Sequence, residues 1–221
     1  MAGAPQLTRL FRPKTKHPGL ARLSHCNRRA VVLRRGLWKM SMFHSNTELL
    51  IDYWRARKGE RLSPQRHAID PGDFAQLLPQ TFILGRAAPG RHVMRLIGGL
   101  VVDLHGRDLR GADFLSLWAG PDRPRLSAAL EASRRGAEPV VVTAEARNQD
   151  GQTARLEILL APLRSDTDPV DRHLGLYQPL SPLAALKDRP ATELSVIRIA
   201  SDEMAGFPAL RLAAVDGLRI A

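Results

Sequence analysis

Histidine is the residue type in this chain best suited to acid–base chemistry and metal binding, and four histidines fall in its central part: His67, His92, His105 and His173. A catalytic site needs a nucleophile or an acid–base pair with supporting groups, and each of these histidines stands singly. The spacing patterns of zinc proteases, serine hydrolases, phosphate-binding loops, thiol redox centres and dinucleotide sites are absent from the sequence. The sequence therefore predicts no catalytic residue and no metal site, and we expect a protein that is not an enzyme.

Two other side chains have the types that bind small molecules, Arg95 and Trp118. Arg95 lies in the middle of an apolar stretch. Its guanidinium could extend to solvent, pair with an acid such as Glu145 or Glu157, or form a fork for a carboxylate or phosphate group. Trp118 fits either a core position or the aromatic wall of a pocket. Arg95 and Trp118 are therefore candidate ligand-binding residues.

The positive charge of the chain is concentrated at its N-terminus. The whole sequence has 33 basic and 22 acidic side chains, a formal net charge of +11. Residues 1–41 contain ten of the basic residues and no acidic one, which leaves 23 basic against 22 acidic residues in the remainder. A nearly neutral remainder does not indicate that the folded part binds nucleic acid.

Residues 1–41 mix prolines and glycines with these cations and show no sustained periodicity, which predicts disorder. Three explanations stay open. Translation could start at Met40 or Met42, the segment could be a basic arm that contacts nucleic acid or an anionic membrane surface, or it could be an organelle presequence.

The cysteine content and the hydropathy bear on the compartment. Cys26 is the single cysteine, so the chain can form no intramolecular disulfide, and we expect a reducing, cytoplasmic location. No apolar run approaches the roughly 18–20 residues that a membrane-spanning helix needs. The sequence therefore predicts no membrane span.

The elements that must position these side chains begin with a two-stranded ribbon. Residues 80–86 alternate in polarity, with Phe82 and Leu84 on one face and Thr81 and Ile83 on the other, and residues 92–97 form the returning strand. A turn at 88–90 joins the two strands. A short helix over 100–105 then leads to a glycine-bracketed loop over 106–111.

Capping signals predict three further helices. The first starts at Ser45, where Glu48 completes a capping box, and ends before Gly59. The second starts at Asp70 as N-cap. The third follows residues 120–124, ends near 135 and is capped by Gly136.

Three later segments have strand patterns: 139–147, 153–163 and 173–180. With the ribbon they make five strands, which favours an α+β fold with one five-stranded antiparallel sheet, helices grouped on one face, and an additional amphipathic N-terminal helix. Residues 183–221 are a poorly defined C-terminal tail, in which 194–199 and 210–215 could be strands or helix ends.

The order of these elements resembles a PAS domain, and in particular a stand-alone bacterial branch common in alphaproteobacteria. The resemblance rests on the helix end from Trp54 to Gly59 (W-R-A-R-K-G), on Asp70-Pro71 followed by Leu-Leu-Pro at 77–79, and on the loop G-R-D-L-R-G at 106–111. It covers roughly residues 44–182. We therefore expect a basic extension over 1–41, a PAS-like domain over 42–182 and a tail over 183–221.

The resemblance implies a sensory or regulatory protein that binds a small ligand or a protein partner and relays a signal through protein contacts. It implies that Leu50, Tyr53 and Trp54 of the first helix pack against the domain or against a second protomer, as a homodimer. It also places His105 beside the region where PAS domains hold haem or flavin.

No cofactor is expected, because the flavin-type reactive cysteine motif is absent and the single cysteine lies outside the domain. Haem held by His105 is a minor alternative. The alternative function is nucleic-acid binding by the basic arm, which predicts salt-sensitive binding that is lost when translation starts at Met42.

Overall fold

The structure is a computed structural model that describes residues 42–165 and 170–201. The predictions made for the basic extension 1–41 and for the segment 210–215 lie outside the described residues. In the described part, none of the helices is long and apolar enough to cross a membrane.

The described residues form three α-helices, six β-strands and several short 3-10 helices. The α-helices are α1 (Ser45–Lys58), α2 (Gly99–His105) and α3 (Arg123–Gly136). The strands are β1 (Thr81–Ala88), β2 (Arg91–Ile97), β3 (Val140–Asn148), β4 (Thr153–Arg164), β5 (Val170–Pro179) and β6 (Ala191–Ser201). The 3-10 helices are Arg66–Ala68, Pro71–Gln80, Phe114–Leu117, Gly120–Asp122 and Leu183–Leu186.

The six strands form one antiparallel sheet in the order β2-β1-β5-β4-β3-β6. The predicted α+β class and antiparallel sheet are therefore confirmed. The predicted count of five strands was one too low, because part of the supposed tail is a strand. β6 pairs along β3, from Ala191 opposite Asn148 to Ser201 opposite Val140.

One face of the sheet packs against α2, α3 and the 3-10 helix Phe114–Leu117. Phe82 and Leu84 of β1 and Tyr177 of β5 belong to the core on this face, which we call the inner face. Ile83 points into a separate core on the opposite, outer face. The alternation predicted for β1 is therefore confirmed.

The outer face is covered by α1 and by the 3-10 helix Pro71–Gln80. Leu50, Ile51 and Trp54 of α1 are buried there together with Phe74 and Leu77. The sheet thus separates two apolar cores, and each of its central strands contributes to both.

Two helix ends differ from the sequence prediction. The N-cap of α1 is His44, whose ring Nδ1 accepts a hydrogen bond from the backbone N–H of Asn46 at 3.1 Å, so α1 begins at the residue predicted to be its cap. The left-handed residue that ends α3 is Ala137 (φ 53°), one position after the predicted Gly136. Its N–H donates to the Ser133 carbonyl, and this bond closes the last turn.

Candidate functional site

A continuous row of aromatic rings fills the space between the inner face and its helices. Its members are His105, Tyr177, Phe82, Phe114 and Trp118, in that order. Successive ring centroids are 6.0, 5.3, 5.7 and 5.7 Å apart. These separations are those of rings in direct contact.

Gly175 allows the row to lie close to the sheet. A Cβ atom at this position would overlap the ring of Phe82, so only glycine leaves room for that ring over β5. A haem or flavin ring in this layer would have to displace Phe82, Phe114 and Tyr177. The residues as packed therefore do not fit either cofactor.

His105 lies at one end of the aromatic row. It is buried at the end of α2, its Nδ1 is 3.3 Å from the Ala191 carbonyl, and its Nε2 has no hydrogen-bond partner among the described residues. Burial lowers the pKa of His105 to about 4, although the contact with Ala191 opposes the shift. The imidazole is therefore neutral at pH 7 and links α2 to the start of β6.

Trp118 lies at the other end of the row and has no exposed surface. Its carbonyl accepts a hydrogen bond from Arg123 Nε at 2.8 Å, and its indole Nε1 has no partner among the described residues. Of its two predicted roles, this position corresponds to core packing. A ligand contact by Trp118 stays a prediction.

Arg95 lies apart from the other two candidates, on the exposed side of β2. Ile83 pairs with Leu96 and Leu84 pairs with Met94, so Arg95 is the extra residue of a β-bulge. Its side chain lies over Gly85 of β1. Of the alternatives for Arg95, its exposure agrees with extension to solvent, and the carboxylates of Glu145 and Glu157 bind Arg147 and the backbone N–H of His44 instead.

Arg95 lines an open cavity of about 450 Å³ at the edge of β2, which we call the Arg95 cleft. The other lining residues are Leu96, Ile97, Val102, Asp108 and Arg110. Asp108 is engaged by Arg110, through Oδ2 to Nε at 2.8 Å and Oδ1 to the backbone N–H at 2.9 Å. Among the described residues Arg95 has no ion-pair partner, so its guanidinium is available to an anion.

A second open cavity, of about 680 Å³, lies between α2 and the segment before β6. Apolar side chains such as Leu100, Leu104 and Leu183 line it, with Asp103 and Asp188 near its mouth. It does not include any of the predicted ligand-binding residues.

The predicted contact residues of α1 divide into two groups. Leu50 and Trp54 are buried against the sheet, and Trp54 Nε1 donates to the Pro162 carbonyl at 2.8 Å. Tyr53 is half-buried, its ring contacts Phe74 with centroids 5.2 Å apart, and its hydroxyl accepts from the Asp70 N–H at 2.8 Å. Contact of Leu50 or Trp54 with a second protomer would require α1 to leave the sheet and stays a prediction.

Strands β4 and β5 hold the start of α1 through polar side chains on the outer face. Glu157 is buried and accepts a hydrogen bond from the His44 N–H at 2.9 Å. Gln178 Oε1 accepts one from Asn46 Nδ2 at 2.9 Å. We call these two bonds the α1 anchor.

A buried polar cluster under α3 was not predicted from the sequence. His92 of β2 and His173 of β5 lie on the inner face with ring centroids 6.2 Å apart. Above them Glu131 of α3 accepts from Arg86 Nε at 3.1 Å and from Arg134 Nε at 2.9 Å. The available signal was the strand period, which places His173 on the same face as Gly175 and Tyr177.

Within the described residues no group of three or more histidine, cysteine, aspartate and glutamate side chains has an arrangement that could hold a metal ion.

The fold agrees with the comparison to known families. A PAS domain family model matches residues 42–178, which is more than half of the chain, and the chain belongs to the PAS domain family. No curated protein matches it. The match ends before the 3-10 helix Leu183–Leu186 and β6, which are additions to the matched region.

Three similar solved structures are light-oxygen-voltage (LOV) domains. The light-state blue-light photoreceptor Aureochrome1 LOV is 16% identical, with a TM-score of 0.39, over 51% of this chain and 90% of that one. The Rhodobacter sphaeroides LOV protein is 14% identical, with a TM-score of 0.39, over 51% and 69%. An RNA-binding light-oxygen-voltage receptor is 17% identical, with a TM-score of 0.41, over 53% and 35%. At these identities nothing about ligand or activity transfers to this chain.

Proposed function

We propose that this protein is a non-enzymatic sensory or regulatory PAS protein that binds a small ligand or a protein partner and relays the event through α1. The observation that carries the proposal is the α1 anchor. Glu157 and Gln178 hold α1 on the outer face, while their chain neighbours Ile158 and Tyr177 belong to the inner core. A change in packing on the inner face is therefore one residue away from the bonds that hold α1.

The Arg95 cleft is the ligand site that we propose. A guanidinium without an ion-pair partner in residues 42–165 and 170–201 lies beside the apolar side chains of Leu96, Ile97 and Val102. This arrangement suits a small molecule with a carboxylate or phosphate group and an apolar body. His105 and Trp118 are buried in the aromatic row and would respond to such a ligand indirectly.

A contiguous set of contacts connects the cleft to α1. Val102 of the cleft belongs to α2, and α2 packs against the 3-10 helix Pro71–Gln80. That helix contacts α1 through the ring pair Phe74–Tyr53. Release of α1 would expose Leu50 and Trp54, which supports the predicted contact with a protein partner or a second protomer.

We also propose that the protein is cytoplasmic and that it belongs to a bacterial branch of the PAS family.

Native mass spectrometry of the purified full-length chain and amide hydrogen exchange of residues 45–58 test the proposal. We expect an anionic small molecule to co-purify, or an added aliphatic carboxylate such as octanoate to bind, and exchange in α1 to change on binding. Arg95→Ala should weaken octanoate binding about tenfold, the typical loss for a charged hydrogen bond. Arg91→Ala is the matched control, because Arg91 is an exposed arginine of the same strand outside the cleft.

Equal octanoate binding by both variants and the unmodified chain would exclude the Arg95 cleft. Binding without any change of exchange in α1 would contradict the relay. An absorption band of haem or flavin in the purified protein would overturn the expectation of a cofactor-free domain.

A further inference from the structure

The two histidines under α3 are buried without the hydrogen bonds that buried imidazoles normally make. His92 and His173 are 1% and 2% exposed. Both ring nitrogens of His92 and Nε2 of His173 have no hydrogen-bond partner among the described residues. A neutral imidazole tolerates this environment at a cost, whereas an imidazolium there would be an unpaired buried charge.

The charged groups around the pair come from three elements besides their own strands. Glu131 and Arg134 face the histidines from α3, Arg86 faces them from β1, and Asp113 lies in the loop before the 3-10 helix Phe114–Leu117. Glu131 is already bound by both arginines. Its negative charge is therefore largely neutralised and would do little to stabilise a protonated histidine.

On the inner face α3 packs over β5, which carries His173, while the loop with Asp113 and the 3-10 helix Phe114–Leu117 pack against β2, which carries His92. A polar link joins α3 to this end of the sheet: Glu131 binds Arg86 of β1, and both side chains are only partly buried. The second bond of Glu131, to Arg134, lies within α3. The apolar contacts of α3 with the inner core come from Leu126, Ala129 and Leu130, and Ser133 is also buried. Beyond Leu130 this single ion pair replaces apolar core contacts, so we expect the C-terminal turns of α3 to open most readily.

We propose that His92 and His173 make the docking of α3 proton-sensitive, so that α3 stays on the sheet at neutral pH and opens locally in mild acid. This regulation goes beyond the proposed function and does not depend on a ligand in the Arg95 cleft. Protonation and opening are linked because the imidazolium forms only where the ring can reach water.

The direction of the pH effect on α3 docking follows from the number of protons that the closed and the open state bind. Burial lowers the pKa of His92, although Glu131 and Asp113 oppose the shift, and burial together with His92 lowers the pKa of His173 to about 3. The open state has histidine pKa values near 6.5 and binds more protons than the closed state. Docking is therefore at full strength above about pH 6.5 and weakens as pH falls towards 3.

Amide hydrogen exchange of the full-length chain between pH 7.5 and 5, corrected for the intrinsic pH dependence of exchange, measures the opening of residues 123–136. Protonation of His173 on opening increases the opening constant about tenfold per pH unit below 6.5, and His92, whose pKa burial also lowers, adds to this slope. His173→Gln should remove the tenfold contribution per pH unit and leave the smaller one of His92. His67→Gln is the matched control, an exposed histidine whose replacement should leave the slope unchanged.

A ring titration by NMR in the unmodified protein keeps the test decisive if a core variant does not fold. We expect the His173 ring to remain neutral in the closed state at pH 5.5. A ring that titrates near pH 6.5 while α3 stays protected would overturn the proposal. The proposal would also be overturned if the amides of residues 156–160 in β4 lost protection with the same pH dependence as α3, because that result would mean global unfolding.

Discussion

Gly175 has its main effect on the side chain of a neighbouring strand. Glycine is the one residue that leaves the ring of Phe82 in contact with β5, and that ring in turn contacts Phe114 and Tyr177. A single hydrogen atom in place of a side chain thus determines the depth of the whole aromatic row. The strand pattern of β5 shows an apolar position here but cannot show that a ring from β1 occupies it.

Gly175→Ala is expected to destabilise the protein by about 1–3 kcal/mol, the usual range for overpacking a filled core. The added methyl group must displace the ring of Phe82 or move β5. Urea unfolding followed by circular dichroism gives the free energy of unfolding. Gly136→Ala is the control, because a methyl group added there would meet no neighbouring atom within 4 Å, and it should cause no loss. Equal stability of the two variants would contradict the packing described for Phe82.

The sequence indicated which residues are candidates for the site, but it did not indicate how those residues are arranged in space. Arg95, His105 and Trp118 were selected by residue type and by their positions in predicted elements, and the structure distributes them over an exposed cleft and two ends of a buried row. The pair His92–His173 went unnoticed because contacts between β2 and β5 depend on strand order. Strand order follows from the packing of the whole sheet and leaves no trace in local periodicity.

β6 is the element that most changes the expected architecture. It covers the edge of β3, and its Leu194 is fully buried in the inner core next to residues from the matched PAS region. Its own outer edge is partly protected, since the Ala119 N–H donates to the Leu194 carbonyl at 2.8 Å and Asp122 accepts from the Val196 N–H at 2.8 Å. β6 is therefore an integral strand of the sheet.

Two leucine-sized side chains of β6 test that role. Leu194→Ala should lower the free energy of unfolding by about 2–5 kcal/mol, because it leaves a cavity in the inner core. Ile197→Ala is the matched control on the same strand: Ile197 is 49% exposed, and its replacement should change stability by no more than about 0.5 kcal/mol. A negligible effect of Leu194→Ala in urea unfolding would mean that β6 is only loosely attached.

The sequence left β6 undecided for a physical reason. Residues 194–199 read Leu-Ser-Val-Ile-Arg-Ile, an apolar run interrupted irregularly, and β6 contains a register shift opposite Thr143 and Ala144. A bulge breaks the period of two on which strand prediction depends. The sequence located the helices and the other five strands with errors of a few residues at their ends, including the start of β5 at Val170.

At the scale of the molecule, the sheet joins two cores that would each be small alone. Strands β1, β4 and β5 contribute alternate residues to the inner and outer clusters, so a disturbance of one layer changes the position of the strands that the other layer packs on. The described residues of these clusters lie between Phe43 and Ala200. We expect that a chain of residues 42–201 contains what the fold requires.

A protein that consists of residues 42–201 should unfold in one cooperative transition, with a midpoint within about 2 °C of the full-length chain, which corresponds to less than about 1 kcal/mol. Calorimetry of both proteins provides the measurement. A chain that ends at residue 190 is the informative comparison, because it lacks β6 and should melt well below both.

The full-length protein and the protein of residues 42–201 also test the alternative that the basic arm binds nucleic acid. Salt-sensitive binding to duplex DNA by the full-length chain alone would favour a role in nucleic-acid binding, because residues 1–41 hold ten cations and no acidic residue.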